Sequence, residues 1–169
     1  MPDLNENHID RHGRPSELEI TDVRIVNLKG IPMRVTLIRI DTNQGLSGYG
    51  EVRDGASATY ALMLKSRILG ENPCNVNKIF RKIKQFGHHA RQAGGVCAIE
   101  MALMDLAGKA YGVPAYMLAG GKFRDRILCY SDTHAEPDGH TMGKRLKDRM
   151  DQGFKFLKMD LGIRHLRDV

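Results

Sequence analysis

Residues 1–16, "MPDLNENHIDRHGRPS", are almost all polar and carry Pro2, Gly13 and Pro15. They offer no stripe to bury and read as a flexible tail. From Leu18 the pattern turns strand-like: "LEITDVRIVNL" sets Ile20, Val23 and Ile25 among β-branched neighbours before the breakers Gly30 and Pro32. "RVTLIRIDT" alternates more cleanly, with Val35, Leu37 and Arg39 on one side and Thr36, Ile38 and Ile40 on the other. The turn "NQG" leads into "LSGYGEV". Consecutive strands joined by short turns predict an antiparallel meander.

The period then lengthens from two to about 3.6. "ASATYALMLKSRILG" predicts a helix capped by Ser57 and ended by Gly70. "NPCNVNKIFRKIKQFG" predicts another, with Asn75 as cap, Val76, Ile79, Phe80 and Ile83 as its apolar stripe and Gly87 as its close. The strongest helical text is "GGVCAIEMALMDLAGKAYGVP", with Val96, Ile99, Leu103, Leu106 and Ala107 on one face and a stop at Gly112 and Pro114. A helical turn, "AYMLAGG", follows.

At Arg126 the order changes to strand, helix, strand: "RILCYSD", "GHTMGKRLKDRMDQG", "FKFLKMDLG". Such a βαβ unit implies parallel strands with a right-handed crossover, and parallel strands need cover on both faces. One helix leaves most of that apolar surface wet, so this part is not expected to be stable alone. The chain thus reads as a tail over 1–16, an α+β domain over 17–125 and a βαβ unit over 126–169.

Composition narrows the function classes. The chain has 169 residues, 41% of them hydrophobic, which allows a real core. Its net charge of +6 would suggest nucleic acid if the basic residues clustered, but they are interleaved with acids and apolar residues and read as solvated surface. Cys74, Cys97 and Cys129 lie far apart and odd in number, which fits reduced thiols in a cytoplasmic protein. No apolar run approaches the roughly 20 residues that span a bilayer, so neither membrane insertion nor secretion is expected.

Three pieces of text carry a resemblance. "GLSGYGEV" is similar to a Gly-x-Gly-Glu strand end; "AIEMALMDLAGKAYGVPAYMLAGGKFRDRI" carries Ala-x-x-Asp-x-x-Gly-Lys, Gly-x-Pro and Leu-x-Gly-Gly in order; "GFKFLKMDLG" resembles a barrel strand bearing Lys-x-Lys. In order and spacing they resemble, over most of residues 18–162, the enolase superfamily of the mandelate racemase and muconate lactonizing type. That resemblance implies an α+β cap domain (three-stranded antiparallel meander plus helical bundle) followed by the start of a (β/α) TIM-type barrel, incomplete in this chain. It also implies Mg2+-dependent removal of the proton next to a carboxylate, with the enediolate stabilised by metal and cations. Its metal ligands stand on the third to fifth barrel strands, beyond this chain, so Mg2+ belongs to the complete enzyme and turnover by these residues alone is not expected. The expected partner is a small hydroxy-carboxylate or sugar acid, with a homo-oligomer when complete and neither nucleic acid nor membrane. The alternative is a non-catalytic fragment acting as a cap or oligomerisation module.

The resemblance assigns Lys158 as an electrostatic catalyst at a barrel-strand end, where barrel enzymes build their sites. Without it, Lys158 is a charged strand-end residue with its stem packed and its head in water. Two residues on, facing the same way, the family's second lysine is replaced by Asp160. Asp160 either pairs with Lys158 and keeps it charged or orients a substrate hydroxyl, leaving proton abstraction to a later histidine. This suits an acid-sugar dehydratase better than a two-base racemase. Glu51, Arg53 and Asp54 fall where the family folds a specificity loop over the barrel mouth, and are expected at the substrate; Glu51 alternatively anchors the cap. His134 and Tyr130 lie near the end of the first barrel strand, where His134 is a candidate for substrate contact and ordinary packing is the alternative for both. The adjacent His88 and His89 diverge whatever the backbone, which argues against a metal pair. Asp105 and Lys109, four apart, form a helical ion pair of structural use.

Overall fold

The computed structural model describes residues 14–31, 35–52, 58–87 and 95–160. The chain divides into two compact units, Met1–Lys122 and Phe123–Val169.

In the first unit, β1 (Ile20–Leu28), β2 (Val35–Thr42) and β3 (Ser47–Val52) form one antiparallel sheet in that order, the meander expected from the period-two text. Its register sets Ile40 opposite both Val23 and Gly48. Thr36, Ile38 and Ile40, one side of the alternation in β2, are buried, while Arg39 between them is exposed. Part of the expected tail is anchored: Pro15–Glu17 make a 3-10 turn, Arg14 N–H donates to the Gln44 side chain (2.7 Å), and Asn72 donates to the Pro15 carbonyl (2.7 Å).

The single helix expected after the sheet is two short ones, α1 (Ala58–Met63) and α2 (Lys65–Ile68). Leu64 N–H bonds Ala61 and Arg67 N–H bonds Leu64, each three residues back, and this tightening breaks the helix while Ala61, Leu64 and Ile68 all stay buried. Helix α3 (Val76–Ile83) buries Ile79 and Ile83. Helix α4 (Val96–Tyr111) buries the whole expected face, Val96, Ile99, Leu103, Leu106 and Ala107, and Gly112 ends it in the left-handed conformation, with α5 (Ala115–Leu118) after it. The core is the layer between the sheet and these helices, centred on Ile38, Ile40, Ile99, Leu103 and Leu106.

The approach of α4 to β3 explains two of the motifs. A Cβ at Gly48 would collide with the carbonyl of Ala102, and one at Gly50 with the carbonyl of Ala98. Only glycine at both positions lets helix backbone lie on strand backbone. Asp105 then accepts from the Tyr49 N–H (3.0 Å) and from Lys109 Nζ (2.6 Å), while Lys109 also donates to the Ser47 carbonyl (2.8 Å). The expected Asp105–Lys109 pair is present, and it also ties α4 to main-chain groups of β3, a strand at the sheet edge that would otherwise offer them to water or another chain.

A charged network bridges β1, β2 and α2. Arg24 reaches Asp22 (2.9 Å) and Asp41 (3.1 Å), Arg39 reaches Asp41 (2.6 Å), and Lys65 bonds Asp22. The Lys65 hydrogen bond, followed by that of Arg24, pulls the Asp22 carboxyl from 3.8 down to about 2.

In the second unit, β4 (Ser131–Thr133) and β5 (Leu157–Met159) pair in parallel through α6 (Gly139–Asp151). Asp138 caps α6, accepting from Thr141 N–H (2.9 Å) and its hydroxyl (2.7 Å). The βαβ order is as expected, but the strands are much shorter than the apolar text. Phe123, Ile127 and Leu128 are 87%, 72% and 77% exposed, and among the described residues of this unit only Ser131, Thr133 and Met142 are buried. A ladder extends only as far as a neighbour supplies partners, and two strands with one helix supply few.

Three measurements test this architecture. Gly50→Ala should lower the urea midpoint by the equivalent of about 1–3 kcal/mol, whereas Gly143→Ala, in open space on α6, should not lower it. Asp22 stabilises the fold above its unfolded pKa, and that contribution disappears as pH falls from 3.8 to about 2, so Asp22→Asn should flatten acid unfolding in that window. Amide exchange should be far faster across residues 123–160 than in β1–β3 and α4, with the laddered Ser131 amide keeping measurable protection within the second unit; equal protection of the two units would contradict the missing second-unit core.

Candidate functional site

The register of the second unit builds the site. Asp132 lies directly opposite Lys158, with Ser131 opposite Leu157 and Thr133 opposite Met159. In-register neighbours of a parallel pair send their side chains to the same face. Lys158 Nζ accordingly donates to Asp132 Oδ1 at 2.9 Å. Asp160 N–H continues the ladder by donating to the Thr133 carbonyl (3.0 Å), which keeps Asp160 on the Lys158 face, its Oδ1 at 3.4 Å from Nζ. The ammonium also sits 5.9 Å from the centre of the Tyr130 ring, which meets Phe156 edge-on at 6.3 Å.

Of the residues singled out in the sequence, the structure brings Lys158, Asp160 and Tyr130 together. His134, just past β4, is exposed, and its charge adds to the forces lowering the Asp132 pKa. Glu51 belongs to the first unit, where it lies on β3 opposite Leu37 of β2 and is exposed. Arg53, Asp54, His88, His89 and Ser57 lie outside the described residues.

Asp132 was not anticipated. Alternation places it between Tyr130 and His134, on the side they share, so the signal was present, but only the parallel register sets it beside Lys158.

The electrostatics follow from that placement. The hydrogen bond to Asp132, reinforced by Asp160, raises the Lys158 pKa, and partial burial opposes the shift. The reciprocal bond from Lys158 holds the Asp132 carboxyl below the usual range. Lys158, Asp132 and Asp160 side chains are 47%, 57% and 50% exposed, so water screens these pairs and they add little to stability. What they provide is placement: the ammonium is held between two carboxylates. Among the described residues, no group of three or more His, Cys, Asp or Glu side chains is placed to hold a metal, and no helix is long and apolar enough to cross a membrane.

Residues 29–120 match the family model for the mandelate racemase / muconate lactonizing enzyme N-terminal domain. The chain belongs to this family. Similarity continues past that domain: a D-xylonate dehydratase of Haloferax volcanii is 31% identical over 99% of this chain and 46% of its own length. A D-galactonate dehydratase of Verminephrobacter eiseniae is 31% identical over 79% of the chain and 37% of its own length. Among solved structures, an enolase from Pantoea ananatis with bound D-gluconate and Mg superposes with a TM-score of 0.73 at 25% identity, over 85% of this chain and 36% of that one. The chain therefore spans less than half the length of these relatives. The antiparallel sheet with its helices is the cap domain of the enolase superfamily.

Proposed function

We propose that this chain forms the N-terminal part of an acid-sugar dehydratase of the enolase superfamily, in which Lys158 is an electrostatic catalyst. The observation that carries the reading is the ammonium of Lys158, held by Asp132 and Asp160 at the ends of paired parallel strands. The D-xylonate and D-galactonate dehydratases among its relatives, and the D-gluconate in a structural neighbour, support a sugar acid as substrate.

Removing the proton beside a carboxylate moves negative charge onto the carboxylate oxygens, and a cation already in place stabilises that charge without reorganising. Loss of the hydroxyl from the next carbon, as water, leaves an enol that becomes a 2-keto-3-deoxy acid. Lys158 suits the electrostatic role because its ammonium is already held in place between Asp132 and Asp160. Asp160 in place of a second lysine supports that role, with the base supplied by residues outside this chain. Glu51, His134, Arg53 and Asp54 are assigned to substrate contact in this reading. Magnesium accompanies D-gluconate in the Pantoea ananatis neighbour. The described residues of this chain do not form a ligand cluster for it, and the role of Lys158 does not depend on their doing so.

A second reading, a non-catalytic cap or oligomerisation module, is favoured by one observation: the buried hydrophobic core lies in the first unit.

The test is to express the chain with any in-frame sequence that follows Val169 in its gene, and to assay D-xylonate, D-galactonate and D-gluconate with Mg2+ for 2-keto-3-deoxy acid. Lys158→Ala should cut kcat by roughly 10²–10³-fold with the fold intact. Unchanged turnover would remove Lys158 from the mechanism, and a stop codon after Val169 with no turnover would favour the module.

A further inference from the structure

A lysine side chain is a flexible four-carbon stem carrying three equivalent donors, so a strand-end lysine has no preferred direction unless its surroundings impose one. At Lys158 the surroundings are unequal. Asp132 accepts at an ordinary charged hydrogen-bond distance of 2.9 Å, whereas Asp160 stands off at 3.4 Å. Their backbones differ as well. Asp132 sits inside β4 between the buried Ser131 and Thr133, with the Ser131 N–H bonded to the Phe156 carbonyl (3.0 Å). Asp160 follows the end of β5, tied there by its own N–H.

We propose that Asp132 is the positioning residue of Lys158: it occupies one of the three ammonium donors and fixes the stem, so that the remaining donors face the substrate carboxylate and Asp160 is left to a substrate hydroxyl. The inference rests on the reading of Lys158 as an electrostatic catalyst, and it decides between the two roles open to Asp160. The geometry carries it. The register sets Asp132 and Lys158 opposite one another, and the buried neighbours of Asp132 keep its main chain from moving away. These half-exposed groups gain little stability from pairing, so the arrangement is better explained by direction than by strength. The charged groups that act on the ammonium are Asp132 from β4 and Asp160 from the end of β5; the Tyr130 ring lies 5.9 Å from it, and His134 acts on Asp132.

The experiment follows the Lys158 ¹³Cε resonance with pH in lysine-labelled protein, assigned by its loss in Lys158→Arg. The Ser131 amide serves as the report that β4 and β5 are paired. In the unaltered chain Lys158 should titrate above the ordinary lysine value. Asp132→Asn should move it back down toward that value, with the Ser131 amide still protected, and Asp160→Asn should move it less. In the extended, active protein Asp132→Asn should lower kcat roughly 10–100-fold with little change in KM, while Asp160→Asn should act chiefly on KM. A Lys158 titration that Asp132→Asn leaves in place, a larger shift from Asp160→Asn, or an unprotected Ser131 amide in the unaltered chain would each overturn the proposal. The titration decides the role of Asp132, and the turnover of Lys158→Ala, measured separately, decides the catalytic reading on which it rests.

Discussion

Helix α4 lies against β3 with backbone touching backbone, and the rest of the cap is arranged around that approach. Gly48 and Gly50 make it possible by having no side chain where Ala102 and Ala98 present their carbonyls. Alanines on the helix answer glycines on the strand, so the separation is set by main chain and not by rotamers. With that separation fixed, Ile99, Leu103 and Leu106 reach Ile38 and Ile40 and close the core. Asp105 and Lys109 come within reach of the Tyr49 amide and the Ser47 carbonyl for the same reason. The motif residues that seem most chemical in this stretch are therefore structural: they satisfy main-chain groups of an edge strand.

The second unit shows the opposite balance. Its strands are amply apolar in the sequence, yet each is laddered over only three residues, and Ile127 and Leu128 stay in solvent. Apolar text is a demand for neighbours, and a single helix with a two-stranded parallel sheet cannot meet it. What this small ladder does fix is the relative height of β4 and β5, and with it the pairing of Asp132 and Lys158. Little backbone order is needed to aim one ammonium, because the ladder bonds on either side of Asp132 and the ion pair act at the same point.

The chain shows the cap with its core and, after it, a short parallel βαβ unit. In that unit Lys158 is a cation held between two carboxylates, Asp132 and Asp160.

Much of this was legible in the linear text, because periodicity is a local property. The period of two over residues 20–52 and the apolar face of residues 96–107 each follow from which neighbours a residue has in its own element, and both appear in the fold as read. The motif around Asp105, and Lys158 at a strand end, were visible for the same reason. The break at Leu64, the short ladder of β4 and β5, the collision that forbids side chains at Gly48 and Gly50, and the partnership of Asp132 with Lys158 were decided only by the tertiary structure. Each depends on the register or distance between segments remote in sequence. Asp132 and Lys158 are separated by a turn, a helix and a second turn, and the ladder, not the spacing, chose which residue of one strand meets which residue of the other.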